Sequence, residues 1–384
     1  MRGFAEPMSS TSNKSSLLET RRKGAPSSAY DKRGLPDVSL VVVVRNEKHV
    51  VTSAVDSLVG QNYPRELLEI ILVDGLSEDG TAEILAQTFE SLERRGWRVS
   101  LFENPRHILA TGWNIAVRAS LGDLMCRIDA HSELYPDYVR RGVEVLQHTE
   151  DTRIGAVGGV LEHYGRGLIG EAVADLLASR FSVGNSPFRT DKDKRARLEK
   201  CRETDTAVYA LYPKRIFEEI GYFDEGLARN QDIEFHERVK AKGYRFLTCP
   251  DMRIKYHVRN TVRALVKKAH SDGYWTAFLR KASLRHRIPA FFALYLIFYG
   301  LLCAASWGLR GATTASLVLC GLPLILYLLM TGFYALKDGR GVTRLLLCGL
   351  FPLYHLSYGL GTLKGMAVRG IRPGTPPMSR NAPW

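Results

Sequence analysis

The chain has 384 residues, too many for one average domain, and can bury a core that needs no disulfide or metal to hold it. Its formal charge of +13 and pI near 9.5 suit anionic lipid, nucleic acid or a phosphate-rich substrate, but no basic–aromatic module such as the RRM signature occurs, so nucleic acid is not expected as a partner. The six cysteines, Cys126, Cys201, Cys249, Cys303, Cys320 and Cys348, include no C-x-x-C pair, which argues against a zinc or redox motif and fits a reduced compartment.

Residues 1–36, rich in Ser, Lys, Arg and Gly, are expected to form a disordered tail, and no apolar run after Arg2 marks a signal peptide. Val38–Val44 is a run of mostly β-branched residues, the mark of a buried strand. Arg45-Asn46-Glu47 follows, and Val51, Ala54, Val55 and Leu58 then share one face of a helix. Leu68–Val73 predicts a second strand ending at Asp74; after a loop over 75–80, Thr81 opens another helix. Val99–Glu103 predicts a third strand, Thr111–Ser120 a third helix, and Leu124–Ile128 a fourth strand ending at Asp129. Strands alternating with helices imply an α/β domain with a parallel sheet, whose ligands bind beyond the carboxyl ends of the strands. Asp74 and Asp129 both stand at that edge. From about residue 151 the pattern loosens; Gly158-Gly159, the charged stretch Arg189–Arg202 and a strand-like Ala207–Leu211 suggest an α+β half closing over the first.

The C-terminal part differs in kind. Ile288–Leu309, Gly311–Leu336 and Leu345–Leu363 are uncharged over 22, 26 and 19 residues, each long enough to cross a hydrocarbon core of about 30 Å. Arg280, Lys281, Arg285 and Arg287 precede the first run, and Lys337, Arg340 and Arg344 follow the second, which puts both flanks on the cytoplasmic side. The third run contains Pro352 and His355 and is followed by Lys364, Arg369, Arg372 and Arg380, so a re-entrant or interfacial segment competes with a full span. Thr261–Arg287 interleaves basic residues with Leu265, Tyr274, Trp275 and Phe278, the pattern of a helix lying in the headgroup plane; a solvated linker helix is the plainer reading.

V-V-V-V-R-N-E and V-D-G-L-S-E-D-G-T within Val38–Thr81, N-P-R-H-I-L-A-T-G-W-N-I-A from Asn104 to Ala116, D-A-H from Asp129 to His131, and R-N-Q-D-I-E from Arg229 to Glu234 together resemble the family 2 inverting glycosyltransferases of the GT-A fold. Within that family the chain is most similar to bacterial succinoglycan-type exopolysaccharide glucosyltransferases. Each motif alone is weak. Their order, with 55 residues from Asp74 to Asp129 and 103 more to Asp232, makes the set specific. The resemblance implies a GT-A (Rossmann-like, nucleotide-sugar-binding) domain over 37–260. A basic amphipathic interfacial helix (261–287), two to three C-terminal transmembrane helices (288–309, 311–336, 345–363) and a basic tail (364–384) follow.

The resemblance also assigns parts to residues. Asp74 matches the family residue that contacts uracil, and a carboxylate there accepts from the base N–H. Glu47 matches the position near the ribose, although Val43 and Arg45 stand where many relatives have Pro and Tyr. The departing diphosphate carries charge that a divalent cation stabilises as a Lewis acid. Where the family has D-x-D, this chain has Asp129-Ala130-His131, an O/N pair that shifts metal preference toward Mn²⁺ over Mg²⁺. His257 is a candidate third metal ligand or phosphate donor, and Arg259 a candidate phosphate clamp. Asp232, just before a helix over Ile233–Lys242, matches the family's catalytic position and is expected to take the proton of the acceptor hydroxyl. Gln231 replaces the family's Glu, and Glu234 is an alternative base. Plainer roles stay open: a turn residue for Asp74, a solvated charge for Glu47, a cap for Asp129, packing for His131, an N-cap for Asp232.

The function implied is membrane-bound, inverting transfer of a hexose, glucose from UDP-glucose, to a polyprenyl-diphosphate-linked saccharide in exopolysaccharide assembly. The site would face the cytoplasm at the inner (plasma) membrane, in a multi-pass protein that contacts membrane lipid. The Q-x-x-R-W of polymer-extruding relatives is absent, which favours addition of single sugars. Two alternatives stand beside it: transfer to polyprenyl phosphate itself, and a nucleotide-sugar-binding scaffold without turnover, suggested by the altered D-A-H and Gln231-Asp232.

Overall fold

The structure, a computed structural model, describes residues 21–22, 34–149, 151–184, 186–190, 201–279, 284–309 and 314–371. Most of the expected N-terminal tail, most of the stretch 189–202, Arg280, Lys281, Arg310, Arg372 and Arg380 lie outside the described residues.

In chain order the elements are β1 (Arg21–Arg22), β2 (Val38–Val44), α1 (Val51–Val59), β3 (Leu68–Asp74), α2 (Thr81–Arg94), β4 (Arg98–Glu103), α3 (Leu109–Ala119), β5 (Leu124–Asp129) and β6 (Ser132–Leu134). Then come α4 (Tyr138–His148), β7 (Ile154–Tyr164), α5 (Gly167–Ala178), α6 (Arg180–Val183), α7 (Pro187–Thr190), β8 (Arg202–Thr204), β9 (Leu211–Pro213), α8 (Arg215–Ile220), α9 (Gln231–Ala241) and β10 (Arg245–His257). Four long helices end the described chain: α10 (Val262–Thr276), α11 (Leu284–Leu309), α12 (Thr314–Asp338) and α13 (Thr343–Ile371).

One sheet carries the domain, in the order β1-β4-β3-β2-β5-β9-β7-β10-β6, with β8 beside β10. β2 to β5 are mutually parallel, as the alternation of strands and helices predicts, whereas β9 runs antiparallel to β5 and to β7. β2 is buried along its whole length because both faces are covered. Leu40, Val42 and Val44 join one core with residues of α1 and α2, while Val41 and Val43 join another with α3. Helix α3 comes so close that Gly112 has no room for a Cβ beside Val43.

Three expectations need correction. The strand-like Ala207–Leu211 is a strand only from Leu211, because Tyr209 takes a left-handed φ of 47° that breaks extended pairing. Asp232 does not cap α9: the N-cap is Asn230, at φ 61°, and Asp232 sits within the first turn. Cys201 and Cys249, 48 residues apart, are joined by a disulfide, so the inference of a reduced compartment from free thiols fails for this pair. The partners come from distant segments, and a scan for local spacing cannot see them.

Among the described residues, three helices are long and apolar enough to cross a membrane. The apolar stretches of α11 and α12 are only 11% and 17% buried, with Phe298, Leu301, Leu329 and Leu336 exposed, whereas that of α13 is 56% buried. α13 runs unbroken through Pro352 and is wedged against the sheet domain: its Phe351, Tyr354 and Tyr358 share a core with Val173 and Leu177 of α5 and with Leu265 and Ala269 of α10. His355 is accounted for inside that seam, with Nε2 3.0 Å from the Phe181 carbonyl oxygen and Nδ1 2.8 Å from the Tyr327 hydroxyl. α10 buries Trp275 within the protein, against the expectation of an aromatic presented to lipid. Glycines make the docking close: a Cβ on Gly273 would meet the Tyr358 carbonyl, and one on Gly361 or Gly365 would meet the carbonyl of His270 or Tyr274.

Candidate active site

Two of the sequence motifs interlock at the carboxyl edge of the sheet. Asn46 adopts φ 56°, which Asn tolerates, so that its N–H donates to Ser77 Oγ (2.9 Å) and its Oδ1 accepts from the Glu78 N–H (2.8 Å). The Glu47 N–H donates to Thr81 Oγ1 at 2.9 Å. This lattice turns the Glu47 carboxylate toward Arg259, whose Nη2 lies 3.3 Å from Oε1. Burial pushes the Glu47 carboxyl above its ordinary range; Arg259 opposes the shift and the nearby Asp129 charge adds to it.

Asp74 ends β3 with its carboxylate buried. Its Oδ1 accepts from Ser77 Oγ at 2.6 Å and its Oδ2 from the Ser77 N–H at 3.0 Å, so the turn role is present. Burial raises its pKa against those hydrogen bonds. Val44 pairs with Asp74 on one side of β2, and Val43 with Asp129 on the other. The two aspartates therefore flank the end of the same strand, two strand spacings or roughly 10 Å apart.

Asp129 Oδ2 accepts from the Tyr209 hydroxyl at 2.9 Å, and that hydroxyl accepts from Ser132 Oγ at 2.7 Å. Beside it, burial lowers the His131 pKa to about 4 despite the Asp129 charge, which keeps the imidazole neutral and its lone pair available above that pH. His257 does not join them: its Nε2 lies 2.5 Å from Glu133 Oε1, and only its backbone N–H meets His131, at the carbonyl oxygen. Among the described residues no group of three or more His, Cys, Asp or Glu side chains is arranged to hold a metal. The three-ligand set Asp129, His131 and His257 is thus reduced to its first two members.

Asp232 reaches the same edge through a residue that the motif reading overlooked. Side chains of Met125, Arg127 and Asp129 share one face of β5. The Arg127 guanidinium covers the Trp113 ring at 3.7 Å and places Nη2 3.1 Å from Asp232 Oδ2. Asp232 Oδ1 accepts from the Ile233 N–H at 2.9 Å. Burial works against ionisation of Asp232, but Arg127 and the helix backbone outweigh it and hold the carboxyl below its usual range. Glu234 is engaged elsewhere, receiving two hydrogen bonds from Arg238 one turn along α9, at 2.7 and 2.9 Å. The N-P-R-H…W-N motif supports this arrangement: Asn104 and Thr111 brace the start of α3, Trp113 carries Arg127, and Asn114 exchanges hydrogen bonds with the Phe223 backbone.

Arg127 did carry a signal, an arginine inside an otherwise apolar strand, which must find a buried partner. Tyr209 carried none. A further mark of the site is strain: the five non-glycine residues with positive φ among the described residues, Asn46, Leu76, His107, Tyr209 and Asn230, all lie in loops at or beside this edge.

Comparison with known proteins places this arrangement. Residues 39–221 match the family model described as Glycosyl transferase family 2. A Methanococcus voltae protein named dolichyl N-acetyl-alpha-D-glucosaminyl phosphate 3-beta-D-2,3-diacetamido-2,3-dideoxy-beta-D-glucuronosyltransferase is 23% identical over 86% of this chain and 97% of its own length. The succinoglycan biosynthesis protein ExoA of Rhizobium meliloti is 27% identical over 65% of this chain and 70% of its own. In structure, a mannosyltransferase from Pyrobaculum calidifontis, solved in complex with GDP-Man and Mn²⁺, superposes with a TM-score of 0.55 at 20% identity, covering 89% of this chain and 90% of that one. Residues 39–221 therefore match a glycosyl transferase family 2 domain, on a GT-A fold followed by three apolar helices, and the chain is a glycosyltransferase.

Proposed function

We propose that this enzyme transfers a hexose from a nucleoside diphosphate sugar to a lipid-linked saccharide at a membrane surface, with inversion. The observation that carries the reading is the gathering of Asp74, Asp129 and, through Arg127, Asp232 at one sheet edge. Asp74 and Glu47 would hold the nucleoside. Asp129 and His131 supply an oxygen and a neutral nitrogen side by side, a pair that suits Mn²⁺ completed by donor phosphate oxygens; the bound ion would stabilise charge on the leaving diphosphate. Asp232, ionised and fixed by Arg127, would accept the proton of the attacking hydroxyl.

UDP-glucose as donor is what the motif resemblance implies, and exopolysaccharide assembly as context is supported by the similarity to the succinoglycan protein. A lipid-linked acceptor follows from that similarity and from the dolichyl-linked substrate in the archaeal relative's name. The helices support the same acceptor: α13 has one side against the sheet domain and packs also on α11 and α12, an arrangement that would set the cleft beside a membrane crossed by those helices. Arg287 in the first turn of α11, Lys337 in the last turn of α12 and Arg340 just beyond it favour a cytoplasmic catalytic domain. The domain limits 37–260, 261–287 and 288–363 describe this division.

The test is UDP and GDP release by the full chain in detergent, across nucleotide sugars, metals and lipid-linked acceptors. Asp232→Asn should lower turnover by about 10²–10⁴-fold while leaving nucleotide affinity within about twofold. Unchanged turnover in that variant removes Asp232 from the chemistry. A wild-type chain that binds nucleotide yet turns over with no lipid-linked acceptor removes the acceptor assignment.

A further inference from the structure

Tyr209 stands at the site with no part in the transfer described above, yet residues from three elements converge on it. Its φ of 47° is one that an aromatic residue rarely adopts, and it is 3% exposed. Strain of that kind persists only where the surroundings over-determine it. Here they do. The Tyr209 carbonyl oxygen accepts from the Tyr138 hydroxyl at 2.7 Å and from Cys126 Sγ at 3.3 Å, and both donors belong to fully buried residues. The Gly158-Gly159 pair of β7 makes room for this clamp: a Cβ on Gly158 would meet the Val208 backbone, and one on Gly159 would meet the Tyr138 ring.

The clamp fixes the Tyr209 backbone beside Cys126, and the side chain reaches from there to Asp129, three residues further along β5. Its hydroxyl is used in both senses, accepting from Ser132 Oγ at 2.7 Å and donating to Asp129 Oδ2 at 2.9 Å. Hydrogen bonds in series polarise one another, so Ser132 strengthens Tyr209 as a donor. Among the described residues no other hydrogen bond reaches the Asp129 carboxylate, and Oδ1 is left for a ligand. His131 is steadied too, its ring edge-on to that of Tyr256 with centroids 4.9 Å apart.

We propose that Tyr209, with Ser132 behind it, is the positioning residue for Asp129 as a metal ligand: it occupies Oδ2 and presents Oδ1 to the divalent cation. The proposal rests on the metal reading above and adds the group that orients the carboxylate. A carboxylate free to turn offers an ion either oxygen or both; the phenol holds it to one and leaves the rest of the coordination shell to His131 and donor phosphate oxygens. Hydrogen bonds of this kind to ligating carboxylates are worth about 10–100-fold in metal affinity.

The test is the affinity of the full chain in neutral detergent for UDP, measured by calorimetry with and without Mn²⁺. The tightening that Mn²⁺ brings reports how well the protein holds the ion, and needs no turnover. Tyr209→Phe, which keeps the ring and removes the hydroxyl, should cut that tightening by about tenfold while metal-free UDP affinity stays within about twofold. Ser132→Ala should cut it by about two- to threefold, and carries the test if Tyr209→Phe does not fold. In an Asp129→Ala background, where the carboxylate to be oriented is gone, Tyr209→Phe should add nothing. Full tightening in the single variants, a parallel loss of metal-free UDP affinity, or a further loss in the Asp129→Ala background would overturn the assignment. A wild-type chain whose UDP affinity ignores Mn²⁺ would overturn the metal reading itself, and the assignment with it, so the two failures are told apart.

Discussion

Arg127 and Asp232 form an ion pair 105 residues apart in sequence, 3.1 Å apart in space, and the arginine is clamped in place by the Trp113 ring. A general base held this way is ionised at low pH and fixed in direction. Arg127→Met should therefore raise the Asp232 pKa and move the acid limb of the kcat/KM profile to higher pH, with kcat lowered by about tenfold or more at neutral pH. Arg127→Lys should keep the limb near its wild-type position, because the charge remains. An unmoved limb in the methionine variant would show that Asp232 is not the group being titrated.

His131 invites the opposite kind of change. Replacing it by Asp restores a pair of carboxylates, harder ligands than imidazole, and should raise the ratio of Mg²⁺- to Mn²⁺-supported turnover by several fold. Metal titrations of UDP release on both proteins check this. His131→Ala should weaken metal activation for both ions.

His236 gives a stability prediction. Its Nε2 lies 2.7 Å from the Tyr212 hydroxyl, and burial depresses its pKa to about 3. The unfolded chain takes up a proton near pH 6.5 that the folded chain refuses until about 3, so this group costs stability as pH falls through that window. The slope is about 1.4 kcal/mol per pH unit below 6.5 for one such group. His236→Gln should flatten the fall of Tm between pH 6.5 and 4, measured by thermal unfolding.

The Cys201–Cys249 bond closes a loop of 48 residues that contains β8, β9, α8 and α9, and with them Asp232. Converting both cysteines to alanine should cost about 2–4 kcal/mol. Reductant should lower the Tm of the wild type and leave the double variant unmoved. Equal responses would mean that the bond does not form in solution.

Much of the sheet was legible because buried parallel strands write themselves as unbroken apolar runs: Val38–Val44 and Leu68–Asp74 stand where their composition puts them. Asp74 and Asp129 were legible for the same reason, as the polar residues that end such runs. What escaped depends on contacts across the chain. Tyr209 looked like part of a strand but turns left-handed to reach Asp129, and no neighbour in sequence announces it. His257 looked available to a metal until Glu133, on the adjacent β6, was seen to hold it. Trp275 looked like a lipid anchor because its pattern is amphipathic, yet its side chain is buried within the protein, on a helix covered along one face by another helix of the same chain.

That covering helix has a mechanical consequence. Gly273, Gly361 and Gly365 let α10 and α13 touch backbone to backbone, leaving no compliant layer of side chains at those contacts. On the membrane reading proposed above, a domain bolted to these helices in this manner would not rise or sink over the bilayer, and the altitude of Asp232 above the lipid would be a constant of the fold. On the transfer reading, such an enzyme measures its acceptor: a glycan one residue too short or too long presents its hydroxyl at the wrong height.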